Sequence, residues 1–338
     1  MIESNTKDVG QSMQSTQENW VELSDFNYCL GDRTILQNLN MKFATGKLTV
    51  LLGPSGSGKS SLLKMIGGQF EKHDAKLSGS VRVNGRDILS MTGSDLSILR
   101  KQMGVLFQRD ALFGDLSVFD NVAFPLREHT GLPENMVRDI VLLKLNAVGL
   151  RAARDLLPHQ LSAGMARRVA LARAFALDPP YMLYDEPFRA QDPISTAILR
   201  KLIEQLSADL QVSGILISHN IEISLGIADY VYLMNEGRIV EEGCPHQLQC
   251  SSSAWVQQFL HGSLLGPAPF HYPGPSLRAD LLEQTLPPSK GVDQTSEARN
   301  CLPGLCRNPR KLPRIAQRFN PNDARSETTV GVTKRKSA

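Results

Sequence analysis

The stretch LLGPSGSGKSSLLKMIGGQ, residues 51–69, sets Gly53, Gly56 and Gly58 ahead of a single lysine, Lys59, directly after an apolar run. Gly53, Pro54, Ser55, Gly56, Ser57, Gly58, Lys59 and Ser60 fit the pattern G-x-x-x-x-G-K-[ST]. The apolar residues before it predict a buried strand, and SSLLKMIGG after it predicts a helix. Glycines let backbone N–H groups converge on phosphate oxygens with no Cβ in the way, and a helix N-terminus adds partial positive charge. Lys59 is expected on the β- and γ-phosphates of a nucleoside triphosphate. Ser60 is expected to offer its hydroxyl to Mg²⁺, and Ser61 to complete the cradle.

Such a loop specifies a nucleotide and leaves the enzyme class open. A second signal lies downstream in YMLYDE, residues 181–186. Four apolar or aromatic residues carry Asp185 and Glu186 to the end of a buried strand, where parallel sheets bind ligands. Asp185 is expected to hold Mg²⁺, directly or through water, and Glu186 to act as general base on the attacking water. Between the two signals, LSAGMARRVALARA begins with Ser162 as N-cap of a strongly helical run. The N–H groups of Ala163 and Gly164 at that helix start form a second anion site.

Together these motifs resemble the ABC transporter ATPases, whose signature is usually written LSGGQ. Here it reads Leu161-Ser162-Ala163-Gly164-Met165, departing at Ala163 and Met165. The remaining landmarks of that family follow in order. Gln108 in VLFQRD matches the Q-loop, which contacts Mg²⁺ and the membrane partner. Asp192 in RAQDP matches the D-loop, with Gln191 in place of the commoner Leu. His219 in LISHN matches the switch histidine on the γ-phosphate, with Asn220 for a frequent Asp. The family stacks an aromatic on adenine from the first strand region. Leu30 occupies the usual place before Gly31, so Tyr28, two residues back, is the expected stacking residue.

The resemblance implies an α/β fold with a RecA-like, mostly parallel P-loop core, an antiparallel β subdomain and a helical subdomain. It implies ATP and Mg²⁺ at the site, with hydrolysis to ADP and phosphate. It also implies that each ATP lies between the P-loop of one copy and the signature of another, so that two identical chains pair head to tail.

Within the family, DALFGDLSVFDNVAFPLREHTGLP (residues 110–133), MIGGQ, GMARRVALARA and DEPFRAQDP resemble the ATPases of MCE-type lipid transporters. Among these the chain resembles the ATPases of the maintenance-of-lipid-asymmetry (Mla) systems of Gram-negative envelopes. Met165 and Gln191 are habits of that branch, whereas Ala163 and Arg189-Ala190 remain unusual. QFLHGSLLGPAPFHYPGPSLRADLL is similar to the branch's C-terminal extension, and the resemblance covers residues 20–283. It implies that phospholipid moves between inner and outer membranes. The implied partners are a second copy, an integral membrane lipid permease, an MCE-domain protein and a small STAS-domain protein, with the chain on the cytoplasmic face of the inner membrane. The alternative, an ATPase for an importer of amino acids or another small solute, shares every ATP-site motif. The block 110–133 carries Leu112, Phe113, Leu116, Phe119 and Phe124, and in this family that region forms the groove for a permease coupling helix.

The formal net charge is +3, unevenly spread: from Leu286 onward, eleven Lys/Arg stand against four Asp/Glu. That is a basic tail and no nucleic-acid footprint. No segment offers the roughly 18 uncharged apolar residues that read as a membrane span. The five cysteines suggest neither a disulfide framework nor a metal site. The expected organisation is a disordered 1–19, an ATPase domain over 20–262, an extension over 263–285 that docks on the partner subunit, and a disordered tail over 286–338.

VELSDFNYCL and MKFATGKLTVLLG each predict one strand, and Asn84-Gly85 predicts a hairpin turn. GILISH predicts a strand, and YVYLMNEGRIVEEG a strand, turn and strand. PENMVRDIVLLKLNAVGL predicts a helix with Pro133 at its first position.

Overall fold

Apolar and polar side chains alternate unevenly along Asn19–Leu30 (β1) and Arg33–Ala44 (β2), which pair antiparallel across the turn at Gly31. A left-handed Gly46 (φ 70°) then turns the chain into Leu48–Leu52 (β3), whose five residues are all buried. MKFATGKLTVLLG is therefore two strands in two sheets, because the glycine turn interrupts what reads as one apolar run.

The computed structural model describes residues 18–70, 75–107 and 111–268. All of them belong to one unit, Met1–Tyr272; a second, Pro273–Ala338, lies outside the described residues. The first strand starts at Asn19, one residue before the expected boundary, because Asn19 pairs with Ala44.

Lys59–Ile66 (α1) follows the glycine loop. Ala75–Val83 (β4) and Arg86–Asp87 (β5) close as a hairpin on Asn84 and Gly85, both at positive φ. Gly93–Lys101 (α2) leads into Met103–Leu106 (β6). Val118–His129 (α3), Glu134–Ala147 (α4) and Ala163–Ala174 (α5) form a helical block. Pro133 stands at the N-cap of α4, just ahead of the expected position, because its ψ of 151° is extended. Tyr181–Asp185 (β7), Pro193–Asp209 (α6), Ser213–Ile217 (β8) and Ile221–Ile227 (α7) alternate strand and helix. Tyr230–Asn235 (β9) and Arg238–Gly243 (β10) form an antiparallel pair, and Pro245–Gln249 (α8) and Ala254–His261 (α9) complete the described chain.

The strands build two sheets. One is antiparallel, in the order β2-β1-β4-β5; the other runs β10-β9-β3-β8-β7-β6 and is parallel except at β10. Strand β3 sits inside the second sheet, buried on both faces, as its unbroken apolar run requires. Leu48, Val50 and Leu52 face the core shared with α3, α4 and α5. Leu51 faces the core between the two sheets, beside Phe43, Ile217 and Tyr232. The parallel strands therefore all deliver their C-terminal ends to one edge, where the glycine loop, Asp185 and the residues after Ile217 meet.

Candidate active site

The loop after β3 is held by close packing that only glycine permits. A Cβ on Gly53 (φ 145°) would lie 2.0 Å from the Met234 carbonyl oxygen, and one on Gly58 (φ 97°) 2.6 Å from Leu36 Cδ2. Lys59 Nζ donates to the carbonyls of Gly53 and Pro54, each at 2.8 Å, and to Ser57 Oγ at 3.1 Å. The lysine is buried, which lowers its pKa, while the carboxylates of Glu186 and Asp185 partly restore it. No side chain caps the first turn of α1, so its N–H groups remain available to an anion. The β9–β10 turn braces the loop, with Gly237 N donating to Ser57 O at 3.2 Å.

Strand β7 brings its two carboxylates against this loop. Ser60 Oγ lies 3.4 Å from Asp185 Oδ1. Burial raises the Asp185 pKa, opposed by that hydrogen bond and by Lys64, Arg167 and Lys59. These are hard oxygen donors, suited to a Mg²⁺ that keeps water and phosphate oxygens for its other positions. Glu186 takes a left-handed backbone (φ 51°), fixed by its N–H donating to Ile217 O at 3.0 Å. Its side chain is only 6% exposed. His219 N donates to Glu186 Oε2 at 3.2 Å. His219 Nε2 also lies 3.2 Å from Oε1, but out of line, so Oε1 is buried without a hydrogen bond. Burial pushes the Glu186 pKa up, and nearby Asp185 adds to this while Lys59 and Arg189 oppose it. Burial, Lys59 and Arg189 together push the His219 pKa down, so the imidazole is neutral at neutral pH. The pair presents a carboxylate of enhanced basicity with one oxygen free to accept a proton.

A groove of roughly 610 Å³ joins these groups. Ser55 through Ser61 form its floor, Glu186 and His219 one part of its wall, and Arg33, Thr34 and Ile35 at the start of β2 another. Tyr28 does not line it: its ring is buried in the core between the sheets, paired across to Leu36 and Leu77. Gln108 lies outside the described residues.

A functional residue missed by sequence reasoning is Arg167, among the largest fully buried side chains. From α5 its guanidinium donates to Pro187 O at 3.0 Å, Phe107 O at 2.6 Å and Glu186 O at 2.6 Å. It therefore fastens α5 to the peptide of Glu186 and to the residue before Gln108.

Ser162 and Asp192 occupy a different place. Ser162 Oγ accepts from Met165 N at 3.2 Å and caps α5. Asp192 caps α6, accepting from Ile194 N at 3.0 Å and Ser195 N at 2.9 Å, which lowers its pKa. Gly164 joins them, since a Cβ there would lie 2.4 Å from Ser195 Oγ. None of Ser162, Gly164 and Asp192 lines the groove. Ala163 is exposed beside them. If its methyl crowds a phosphate offered by another copy, Ala163→Gly raises the ATPase rate of the assembled transporter by about twofold, the usual scale of a surface change. An equal or lower rate means the loop already accommodates alanine.

Over its length this site has close relatives. The intermembrane phospholipid transport system ATP-binding protein MlaF of Haemophilus influenzae is 48% identical over 266 residues, covering 79% of this chain and 99% of that protein. Its Escherichia coli K12 counterpart is 45% identical over 270 residues, covering 80% and 99%. Residues 36–189 match the ABC transporter family model. The chain belongs to the ABC transporter ATPases. A solved dimer of the ATP-binding cassette MJ0796, in a post-hydrolysis state with ADP and Pi, superposes with a TM-score of 0.60. It is 26% identical, covering 67% of this chain and 98% of that one. This ABC ATPase therefore binds and hydrolyses ATP, and the α/β fold expected from its motifs is the one observed.

Proposed function

We propose that this ATPase powers the movement of phospholipid between the inner and outer membranes of a Gram-negative envelope, working as a head-to-tail pair beneath a membrane permease. The observation that carries the reading is the 48% identity, spanning 99% of a protein named for intermembrane phospholipid transport. The small-solute importer reading has no comparable support.

In the proposed cycle the glycine loop, the uncapped first turn of α1 and Lys59 bind the phosphate chain. Lys59 exchanges its loop carbonyls for phosphate oxygens as it does so. Ser60 and Asp185, with Gln108, would hold Mg²⁺, which neutralises developing charge on the phosphates. The Glu186 carboxylate takes the proton of the attacking water, and His219 N holds that carboxylate through Oε2. Ser162, Gly164 and Asp192, set apart from the groove, face the nucleotide of the second copy, an arrangement supported by the dimeric MJ0796.

The permease contact is proposed at an apolar groove of roughly 540 Å³ lined by Phe107, Phe113, Phe124 and Pro125. Phe113 and Phe124 are 43% and 39% exposed and pack ring against ring at 4.7 Å. Buried Asn121 sets the loop beneath them: its Oδ1 accepts from Phe113 N, and its Nδ2 donates to Phe113 O, Leu116 O and Ser117 O. Leu112, Leu116 and Phe119 are half-buried and brace the block from within. A rigid apolar trough of this kind suits one amphipathic helix.

Pull-down of the full chain from membranes, followed by mass spectrometry, is expected to return a permease with an MCE-domain protein and a small STAS-domain protein. Recovery of a solute-binding protein instead would support the importer. Phe124→Asp is expected to remove at least about 90% of the recovered permease, because a charge in a desolvated groove costs more than 1.4 kcal/mol. ATP binding by the isolated chain is expected to be unchanged.

Among the described residues no helix is long and apolar enough to cross a membrane, in keeping with a peripheral place on the cytoplasmic face of the inner membrane. The extension over 263–285 is proposed to dock on the partner subunit. Leu264 and Leu265, 81% and 90% exposed, open it; its Phe270, Tyr272, Leu281 and Leu282, like the basic tail, lie outside the described residues.

A further inference from the structure

One cation in the groove has no part in the mechanism above. Arg189 follows the catalytic carboxylate by three residues in Glu186-Pro187-Phe188-Arg189. The turn is rigid. Arg189 N donates to Glu186 O at 3.2 Å, and two left-handed residues, Glu186 (φ 51°) and Ala190 (φ 56°), bracket it. Phe188, 6% exposed, anchors the turn in the core, which leaves the neighbouring arginine on the outside.

Arg189 lines the nucleotide groove and also the adjoining cavity of roughly 460 Å³; the two share Ser55, Glu186, Arg189 and His219. Those shared residues mark the end of the groove where the water would attack. Among the described residues the Arg189 side chain makes no ion pair and no hydrogen bond. Its charge is nevertheless close enough to pull the Glu186 carboxyl down and to help keep His219 neutral. Arg167, by contrast, is committed to main-chain carbonyls and cannot turn toward a ligand.

We infer that Arg189 is a further catalytic residue, a cis-acting arginine whose guanidinium donates to the equatorial oxygens of the γ-phosphate as the phosphoryl group leaves. The inference rests on the reading of this groove as the ATP site. In the reaction, the water oxygen forms a bond to the γ-phosphorus while the bond to the β–γ bridging oxygen breaks. The electron pair departs with ADP, and the water proton passes to Glu186. Charge spreads over the three equatorial oxygens, and a planar, permanently charged fork is the side chain best shaped to meet it. Because the three equatorial oxygens flatten into one plane only as the bond to the bridging oxygen breaks, a planar fork placed to meet them there acts on the rate more than on binding.

The test uses the full chain with Arg189→Ala and Arg189→Lys, with Glu186→Gln measured alongside. Arg189→Ala is expected to lower kcat by about 100-fold, the scale of one preorganised donor, with ATP affinity changed by less than about threefold. Affinity for ADP with aluminium fluoride is expected to fall with kcat. Arg189→Lys restores part of the rate.

If Arg189→Ala hydrolyses ATP within twofold of wild type, the proposal fails. A fall in kcat with a lower melting temperature and unchanged affinity for ADP with aluminium fluoride also overturns it, since that pattern reports a merely structural residue. These failures differ from failure of the groove reading, which would show as wild-type turnover by Glu186→Gln.

Discussion

Glu186→Gln is expected to bind ATP as tightly as wild type and to lose hydrolysis by at least about 100-fold, the lower end of what one general base supplies. The amide keeps the shape that His219 N holds through Oε2, and the cradle around Lys59 is untouched. What disappears is the only property the water needs, an oxygen that can accept its proton. In the wild type, burial raises the Glu186 pKa, so the rate falls with decreasing pH at a limb above the usual glutamate range. That limb is absent from any residual activity of the variant.

The fold should not suffer. A carboxyl whose folded pKa is raised contributes stability that is present below the unfolded pKa and lost as pH rises through the folded one. At neutral pH Glu186 is therefore a burden on stability, and the glutamine chain melts no lower than wild type. Phosphate release from pH 5 to 9, binding of a fluorescent ATP analogue and a thermal melt check the three statements. Wild-type turnover by Glu186→Gln would remove Glu186 from the role of base.

How much of this site could be read from the sequence depends on where each residue's partners lie. The phosphate loop was legible because its demands are local: positive φ at Gly53 and Gly58 must be met by those residues themselves. Asp185 and Glu186 were legible because an apolar strand must end at the sheet edge, and β7 ends there. The parallel core was legible from strands alternating with helices, although the glycine turn at Gly46 hid a boundary between two sheets.

Tyr28 was misjudged for a definite reason. Strand β1 changes register between Leu23 and Phe26, between Phe26 and Tyr28, and again between Tyr28 and Cys29. Each irregularity can turn the following side chain to the other face, so counting by twos from Leu30 fails. The groove is instead flanked by Arg33, Thr34 and Ile35, at the start of β2 beyond the turn. Arg167 was invisible because α5 carries Arg167, Arg168 and Arg173 in one apolar run, and nothing in ARRVALARA says which arginine turns inward. Among its partners are the carbonyls of Phe107, Glu186 and Pro187, and a carbonyl has no residue type to recognise.

That network sets the second large expectation. Arg167→Met keeps the length and much of the volume of the side chain but removes every donor. The carbonyls of Pro187 and Phe107 then lose this donor, while Glu186 O keeps Arg189 N, and each loss costs about 1–3 kcal/mol. After partial relaxation and entry of water the expected total is about 2–4 kcal/mol. Denaturant unfolding at constant m-value measures it directly. Arg167→Lys is expected to recover little, since a single ammonium cannot reach three acceptors spread around a planar fork.

The catalytic consequence is separable from the loss of stability. Glu186 O is among its acceptors, so losing that bond leaves the left-handed Glu186 turn held at this carbonyl by Arg189 N. Phe107 O is another, so the residue ahead of Gln108 loses its tie to the signature helix. Turnover per folded molecule is therefore expected to fall by at least about tenfold even below the melting transition, through geometry and not through lost charge. A loss of under about 1 kcal/mol, with kcat intact, would mean that water replaces the guanidinium and that Arg167 does not couple the helix to the site.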